Sequence, residues 1–170
     1  MPGESKSASE MRAFVEVLRR NGVEFLVIGG QAEALMGSPR ATYDTDLCYR
    51  RSLENLRRMA VALKELKPTL RGAPPDLPVI IDERSLSLGC NYTFDTTHGK
   101  LDLLGWVEPI GDFDALAKHA ETYPYEGDQV RTISLNDLIR VKQHIGRSKD
   151  RDSLIQLLAI RKAREDTGMR

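Results

Sequence analysis

The sequence predicts an α/β (α+β) fold, in which a small mixed β-sheet is flanked by helices and closed by a helical C-terminal tail. Three observations carry this. The run Phe25-Leu26-Val27-Ile28 is too short and too β-branched for a helix, and it stops at Gly29-Gly30 with a helix-compatible segment, residues 31–36, directly behind it. Leu86, Leu88, Cys90, Tyr92 and Phe94 alternate with small or polar residues before Thr96-Thr97-His98-Gly99, which predicts a hairpin with the strand that follows. Apolar stripes at helical spacing open and close the chain.

At 170 residues, 41% hydrophobic and 29% charged, the chain has material for one globular domain with its own core. The expected organisation is one domain over residues 1–170, with a sheet-containing core at 1–133 and a C-terminal helix pair at 134–170. Its 25 basic and 25 acidic residues cancel. No global field therefore draws it to nucleic acid or an anionic membrane, and a nucleic-acid partner has to be held by a local patch. Cys48 and Cys90 lie in apolar, strand-like contexts without a CxxC neighbour and read as buried thiols. With neither a signal-peptide core nor a bilayer-length apolar run, the expectation is a cytoplasmic, reducing location and no membrane partner.

In order along the chain, Ser7-x-x-Glu10 is a capping-box pattern, and Met11, Phe14, Val15 and Leu18 make a helical stripe that ends at Asn21-Gly22. After the strand at 25–28, Ser52 caps a second helix whose Leu53, Leu56, Ala60 and Leu63 share a face before Pro68 stops it. Arg50, Arg51, Arg57 and Arg58 at its start read as a solvated face, with a share in RNA binding as the lesser alternative. Residues 71–78, rich in proline, read as an ordered loop leading into strand-like Val79-Ile80-Ile81. Beyond the hairpin come a helix at 113–120 and a candidate edge strand at 129–133. Ser134-x-x-Asp137, a near capping box, opens a helix that Gly146 ends. A final helix, capped by Ser148, packs through Leu154, Leu157, Leu158 and the stem of Arg161.

The chemistry concentrates between Phe25 and Tyr49. Asp44 and Asp46 recur at a spacing of two among strand-favouring residues, so their side chains face the same way. Like charges so placed repel unless a cation sits between them, and magnesium suits that role because it takes hard oxygen ligands from one or two carboxylates and from substrate phosphates. Backbone amides at Gly29 and Gly30 approach phosphate oxygens closely where no Cβ intervenes, and the helix dipole favours the anion. The pair reads as a metal and triphosphate site. Near the C terminus, Lys142, Arg147 and Lys149 gather at a helix junction where flexible cations reach β- and γ-phosphates, and Asp150 and Asp152 read as acids stabilising the next helix's dipole. Asp102, a lone acid between Leu101 and Leu103, is open between an outward surface aspartate and a buried member of the site.

Taken together, Gly29-Gly30 followed by Arg40-x-Thr42-x-Asp44-x-Asp46 resembles the signature of the polymerase-β-type nucleotidyltransferase superfamily, most closely its abortive-infection toxin-like (AbiEii-like) branch. The joint Leu138-Ile139-x-x-Lys142-x-x-x-Gly146-Arg147-x-Lys149-Asp150-x-Asp152 resembles a C-terminal element common in that branch. The resemblance implies a nucleotidyltransferase-like fold and a metal-dependent transfer of a nucleoside monophosphate from a nucleoside triphosphate to an acceptor hydroxyl. It implies two magnesium ions, with manganese as a substitute, on Asp44 and Asp46, with Asp102 as third ligand and base. Gly29, Gly30, Lys142, Arg147 and Lys149 would bind the triphosphate, and Arg40 and Thr42 would orient the motif or touch phosphate. For this branch the acceptor is an RNA such as a tRNA end, and an antitoxin protein is the partner. Two features depart from the pattern. Gly30 stands where many members have serine, and the chain is shorter than many toxins of the branch.

A rival enzyme reading is nucleotidyl transfer to a small hydroxylated molecule such as an antibiotic. A rival from another class is a nucleotide-binding interaction module without turnover. His98, His119 and His144 stand singly, no Ser-His-Asp or Walker pattern occurs, and the glycine pair lacks the third glycine of a dinucleotide fingerprint.

Overall fold

The β-branched run at Phe25 becomes an inner strand, with every other element arranged around it. The structure, a computed structural model, describes residues 6–40 and 42–169. In chain order, α1 (Lys6–Arg20) leads to β1 (Phe25–Ile28), α2 (Gly29–Leu35), β2 (Thr45–Tyr49), α3 (Leu53–Glu65), β3 (Thr69–Leu70) and α4 (Glu83–Leu88). There follow β4 (Asn91–Thr96), β5 (Gly99–Leu104), a small ribbon of β6 (Trp106–Val107) and β7 (Gly111–Asp112), then α5 (Phe113–Ala117), β8 (Glu121–Tyr125), β9 (Asp128–Thr132), α6 (Leu135–Ile145) and α7 (Asp150–Asp166).

Among the described residues the main sheet has seven strands in the order β3-β4-β5-β2-β1-β9-β8. It is mixed: β1 runs antiparallel to β2 but parallel to β9, and β2 runs parallel to β5. Alternation sorts its side chains. Val27, Leu47, Leu101, Leu103 and Phe94 are buried together on one face. The helical stripe Met11, Phe14, Val15 and Leu18 of α1, with Leu56, Ala60 and Leu63 of α3, is buried in the same core. Each fully buried aliphatic side chain there stabilises the fold by about 2 kcal/mol.

Several local expectations hold. Ser52 caps α3 by accepting from the Asn55 amide, and Gly146 ends α6 in a left-handed conformation with φ of 63°. Thr97 and His98 turn the β4–β5 hairpin, as the Thr96 to Gly99 pattern predicts. Cys48 is a buried free thiol as expected, whereas Cys90, also a free thiol, is only half-buried and lies just before β4 rather than in a strand. No described helix is long and apolar enough to cross a membrane.

Other expectations are corrected. Leu86 and Leu88 belong not to a strand but to α4, where Asp82 and Ser85 form a reciprocal capping box that the period-two spacing of the leucines conceals. Val79-Ile80-Ile81 forms no strand. Leu53 lies outside the buried stripe of α3, at 55% exposure. The strand at 128–132 is interior, not the edge. The edge on that side is β8, unexpected because Pro124 interrupts its pattern, and an edge strand tolerates a residue that cannot donate to a ladder. Ser134 caps α6, yet Asp137 does not return the bond; its carboxylate accepts from Arg140 instead. The last helix starts at Asp150 with no side-chain cap, so Ser148 is not its cap. Ser7, in the first described turn of α1, has its side chain outside the described residues.

Candidate active site

β2 and β5 lie side by side in a register that sets Asp46 opposite Asp102, with Ile28 of β1 opposite Asp46 on its other side. Directly opposed residues share a face, so both carboxylates project from the side of the sheet away from Leu47, Leu101 and Leu103. Burial, then the charge of Asp102 and a hydrogen bond with it, then the charge of Asp44, push the Asp46 carboxyl up to about 7, while Lys142 pulls the other way. Asp44 is half-buried and precedes β2 by one residue.

Whether these residues suit magnesium is decided by the donor set. Among the described residues no three His, Cys, Asp or Glu side chains form a ready-made cage. What exists is two adjacent carboxylates with a third close enough to be felt. Oδ1 of Asp102 is buried and takes no hydrogen bond, even though Arg71 Nη1 is 3.0 Å away, because that contact is close without being aligned. Magnesium is ordinarily held by one or two carboxylates with water and substrate phosphate completing its shell, so the donor set fits.

The glycine pair forms the first turn of α2 rather than a turn before it. Gly29 takes φ of 62°, and a Cβ there would press on the Asp46 carboxylate. At Gly30 the added atom would lie 2.5 Å from Oγ1 and 2.8 Å from Cβ of Thr42, so a side chain there requires Thr42 to shift. The departure from serine at this position thus has a local cause in Thr42.

Beside the acids opens a cavity of about 190 Å³ lined by Gly30, Glu33, Arg40, Thr42, Lys142, Arg147, Lys149, Asp150 and Ser153. Six of the seven residues expected at phosphate line this one space, and the seventh, Gly29, adjoins it in sequence. Two acids absent from that expectation, Glu33 and Asp150, are also there, at 3% and 5% exposure.

The cations are fixed more firmly than loose surface lysines. Lys142, with a side chain 13% exposed, has Nζ 3.0 Å from Glu33 Oε1 and donates to Asp150 Oδ1 at 3.2 Å. Arg147 Nε donates to Asp150 Oδ2 at 2.7 Å. Glu33 Oε2 accepts from Ser153 Oγ at 3.1 Å, and Arg40 Nη1 donates to the same hydroxyl and to the Lys149 carbonyl. Asp150 therefore does more than stabilise a helix dipole. Burial alone would raise its carboxyl, but hydrogen bonds from Arg147 and Lys142 hold it below the usual carboxylate range. With Arg40, Lys142, Arg147 and Lys149 against Glu33 and Asp150, the lining keeps a surplus of positive charge suited to an anion.

Three residues of the site escape sequence reasoning: Glu33, Ser153 and Arg71. Glu33 carried a signal, being an acid on the inward side of a short helix, three residues after Gly30. Arg71 carried none beyond its place in a proline-rich loop. By contrast, Arg50, Arg51, Arg57 and Arg58 are each engaged, with Glu24 and Asp114, with the carbonyls of Ser87 and Gly89, with Glu83, and with Glu54. A second and larger cavity, about 960 Å³, lies at the other end of the α6–α7 pair and is lined by residues including His119, Asp137, Arg140 and Arg164. It shares no lining residue with the cavity beside the acids.

No protein-family model matches the chain, and no curated protein sequence does. Solved structures do resemble it. The antibiotic-resistance factor ANT(2'')-Ia superposes with a TM-score of 0.61 at 12% identity, covering 97% of this chain and 94% of that one. The lincosamide antibiotic adenylyltransferase LnuA, bound to lincomycin, gives 0.58 at 15% identity over 89% and 96%. An antigenic nucleotidyltransferase-like protein from Paracoccidioides brasiliensis gives 0.51 at 18% identity over 94% and 79%. At such identities the likeness establishes the fold, which is nucleotidyltransferase-like.

Proposed function

We propose that this chain is a metal-dependent nucleotidyltransferase, moving a nucleoside monophosphate from a nucleoside triphosphate to an acceptor hydroxyl. One observation carries the reading: Asp46 and Asp102 stand side by side on parallel strands with a cationic cavity at their flank. Two adjacent, largely buried acids beside an anion seat are hard to account for in a fold that needs neither for its core.

Asp46 and Asp102, with Asp44, would hold magnesium, which when bound polarises the phosphoryl oxygens and offsets charge on the leaving group. Arg40, Lys142, Arg147 and Lys149, with the amides and Thr42 around Gly29 and Gly30, would receive the β- and γ-phosphates. The cavity adjoins the β1 side of Asp46, whereas Asp102 lies on the β5 side. An attacking hydroxyl over β5 and a pyrophosphate leaving towards α6 are then on opposite flanks, as in-line displacement requires. The acceptor oxygen bonds to the α-phosphorus as the bond to pyrophosphate breaks, and Asp102 accepts the hydroxyl proton.

For the acceptor, one observation favours a small hydroxylated molecule over RNA. The arginine group around the start of α3 is consumed by ion pairs and carbonyl contacts, and the chain carries no net charge. Two of the proteins sharing the fold are named for antibiotics. An RNA acceptor such as a tRNA end remains the toxin-like reading, and an antitoxin partner stands or falls with it. The test supplies magnesium and each α-labelled triphosphate in turn with total RNA or with a panel of aminoglycosides and lincosamides. Label in a small molecule supports the favoured acceptor, and label in RNA supports the toxin-like one. Nucleotide bound with label transferred nowhere would overturn the enzyme in favour of a binding module.

A further inference from the structure

Arg71 follows the short edge strand β3, two strands away from Asp102, yet its side chain reaches back across the sheet. Its amide donates to the Thr93 carbonyl at 3.0 Å, and Nη2 donates to the Phe94 carbonyl at 3.0 Å. Nε donates to Asp95 Oδ1 at 3.4 Å, and Nη1 lies 3.0 Å from Asp102 Oδ1. The guanidinium side chain is 27% exposed and the Asp102 side chain 21%, so this pair is more enclosed than most other ion pairs among the described residues. Asp95 is the more open partner, at 48%.

Two facts about this contact pull apart. The charges are close, but Asp102 Oδ1 takes no aligned hydrogen bond. An arginine whose purpose was to anchor the loop would be expected to spend its fork on that carboxylate, since aligned two-point contact is where guanidinium gains most. Here the aligned bonds go to Phe94 and Asp95, and Asp102 is met chiefly by charge, through a close contact of poorer alignment. Lys142 supplies a counter-charge to Asp46 from the other flank.

We propose that Arg71 is the resident counter-ion of Asp102, a positioning residue that neutralises the acid pair in the metal-free enzyme and that an incoming divalent cation competes with. This rests on the reading that Asp46 and Asp102 hold the metal. Arg71 need not leave its loop when a cation arrives, because Phe94 and Asp95 retain the guanidinium while Asp102 turns to the metal. The arrangement keeps the acids from being left bare and sets metal affinity lower than the carboxylates alone would.

The test is binding of Mn²⁺ alone, without nucleotide, followed by the loss of the free-ion paramagnetic resonance signal, with far-UV circular dichroism as the check on folding. Arg71→Gln keeps a donor for Phe94 and Asp95 but removes the charge, and is expected to tighten Mn²⁺ binding about tenfold, the scale of one close charge. Arg71→Lys keeps the charge and is expected to stay within about twofold of the wild type. If both variants tighten alike, or neither does, or Arg71→Gln binds more weakly, the counter-ion role is overturned and Arg71 is a structural tie. Asp46→Asn is the separate control. Wild-type Mn²⁺ binding in that variant would remove the metal assignment itself, and the counter-ion with it, whereas lost binding there beside an unchanged Arg71→Gln would strike at Arg71 alone.

Discussion

Asp46 and Asp102, 56 positions apart by their numbers, are direct neighbours across a parallel ladder, carboxylate beside carboxylate. Without a cation this is a poor arrangement, because burial and mutual repulsion both oppose the charged form of Asp46. Asp46→Asn is therefore expected to gain thermal stability in metal-free buffer, by about 3 °C for each kcal/mol relieved. It should lose transfer by roughly a thousandfold, the several kcal/mol that metal-assisted charge stabilisation supplies. Melting curves with and without magnesium check both halves: magnesium should stabilise the wild type and leave the variant unmoved.

Lys142 and Lys149 line the same cavity but are held differently, so their loss should read differently. Lys149 is exposed, and Lys149→Ala is expected to raise the KM for nucleotide about five- to tenfold with the melting temperature unchanged, as for one solvated charge contact. Lys142 lies between Glu33 and Asp150. Lys142→Ala should raise KM further and also destabilise the fold by roughly 3 kcal/mol, since buried Glu33 loses its cation and buried Asp150 is left with Arg147 alone. Steady-state kinetics paired with thermal melts separates the two.

The pH profile of stability should carry a mark from Asp150. Its carboxyl is held below the usual value near 3.8 by Arg147 and Lys142. A carboxyl lowered on folding contributes stability that is fully present above its unfolded value and is lost as the pH falls through its folded value. Asp150→Asn should therefore melt below the wild type from neutrality down to about pH 4, and the gap should close on further acidification. Melting temperatures of both proteins from pH 7 to pH 2 test this, and a gap independent of pH would contradict it.

Gly30→Ser introduces the residue that the superfamily resemblance leads one to expect, but here it should do harm. The new Cβ would collide with Thr42, so the expected cost is about 1–3 kcal/mol of overpacking, with nucleotide binding weakened. Thr42→Ala does not remove Cβ, whereas Thr42→Gly does. The pair Gly30→Ser with Thr42→Gly should recover the packing term that Gly30→Ser with Thr42→Ala recovers only in part. Chemical denaturation of the three variants gives the comparison.

Much of this was legible in the chain because the informative residues are local. The strand that stops at Gly29 and Gly146 as a helix stop depend on neighbours within a few positions, whereas Asp44 lies one residue ahead of β2 and not in the strand alternation expected for it and Asp46. Asp102 was the boundary case, since its own flanks fix only that it opposes Leu101 and Leu103. Whether it faces Asp46 depends on a parallel register between distant strands. What sequence could not yield shares one property, that each contact is made across the fold. Arg71 meets Asp102 over an intervening strand, and Glu33 meets Lys142 from another helix. Local rules also misled where two periods coincide, as at Leu86 and Leu88, whose spacing reads as strand although a capping box makes them helix. Pro124 hid an edge strand for the opposite reason, a breaker that the edge position renders harmless.

Arg40 and Ser153 share a hydrogen bond across 113 positions, so the cationic cavity proposed as the triphosphate seat is assembled from distant parts of the sequence. A single proteolytic nick between Gly146 and Lys149 would leave the acidic strands paired yet free the far wall of that seat to drift. Nucleotide bound across the gap would act as a staple, so its presence should slow both the nick and amide exchange in α7, making digestion rate a gauge of occupancy that needs no knowledge of the acceptor.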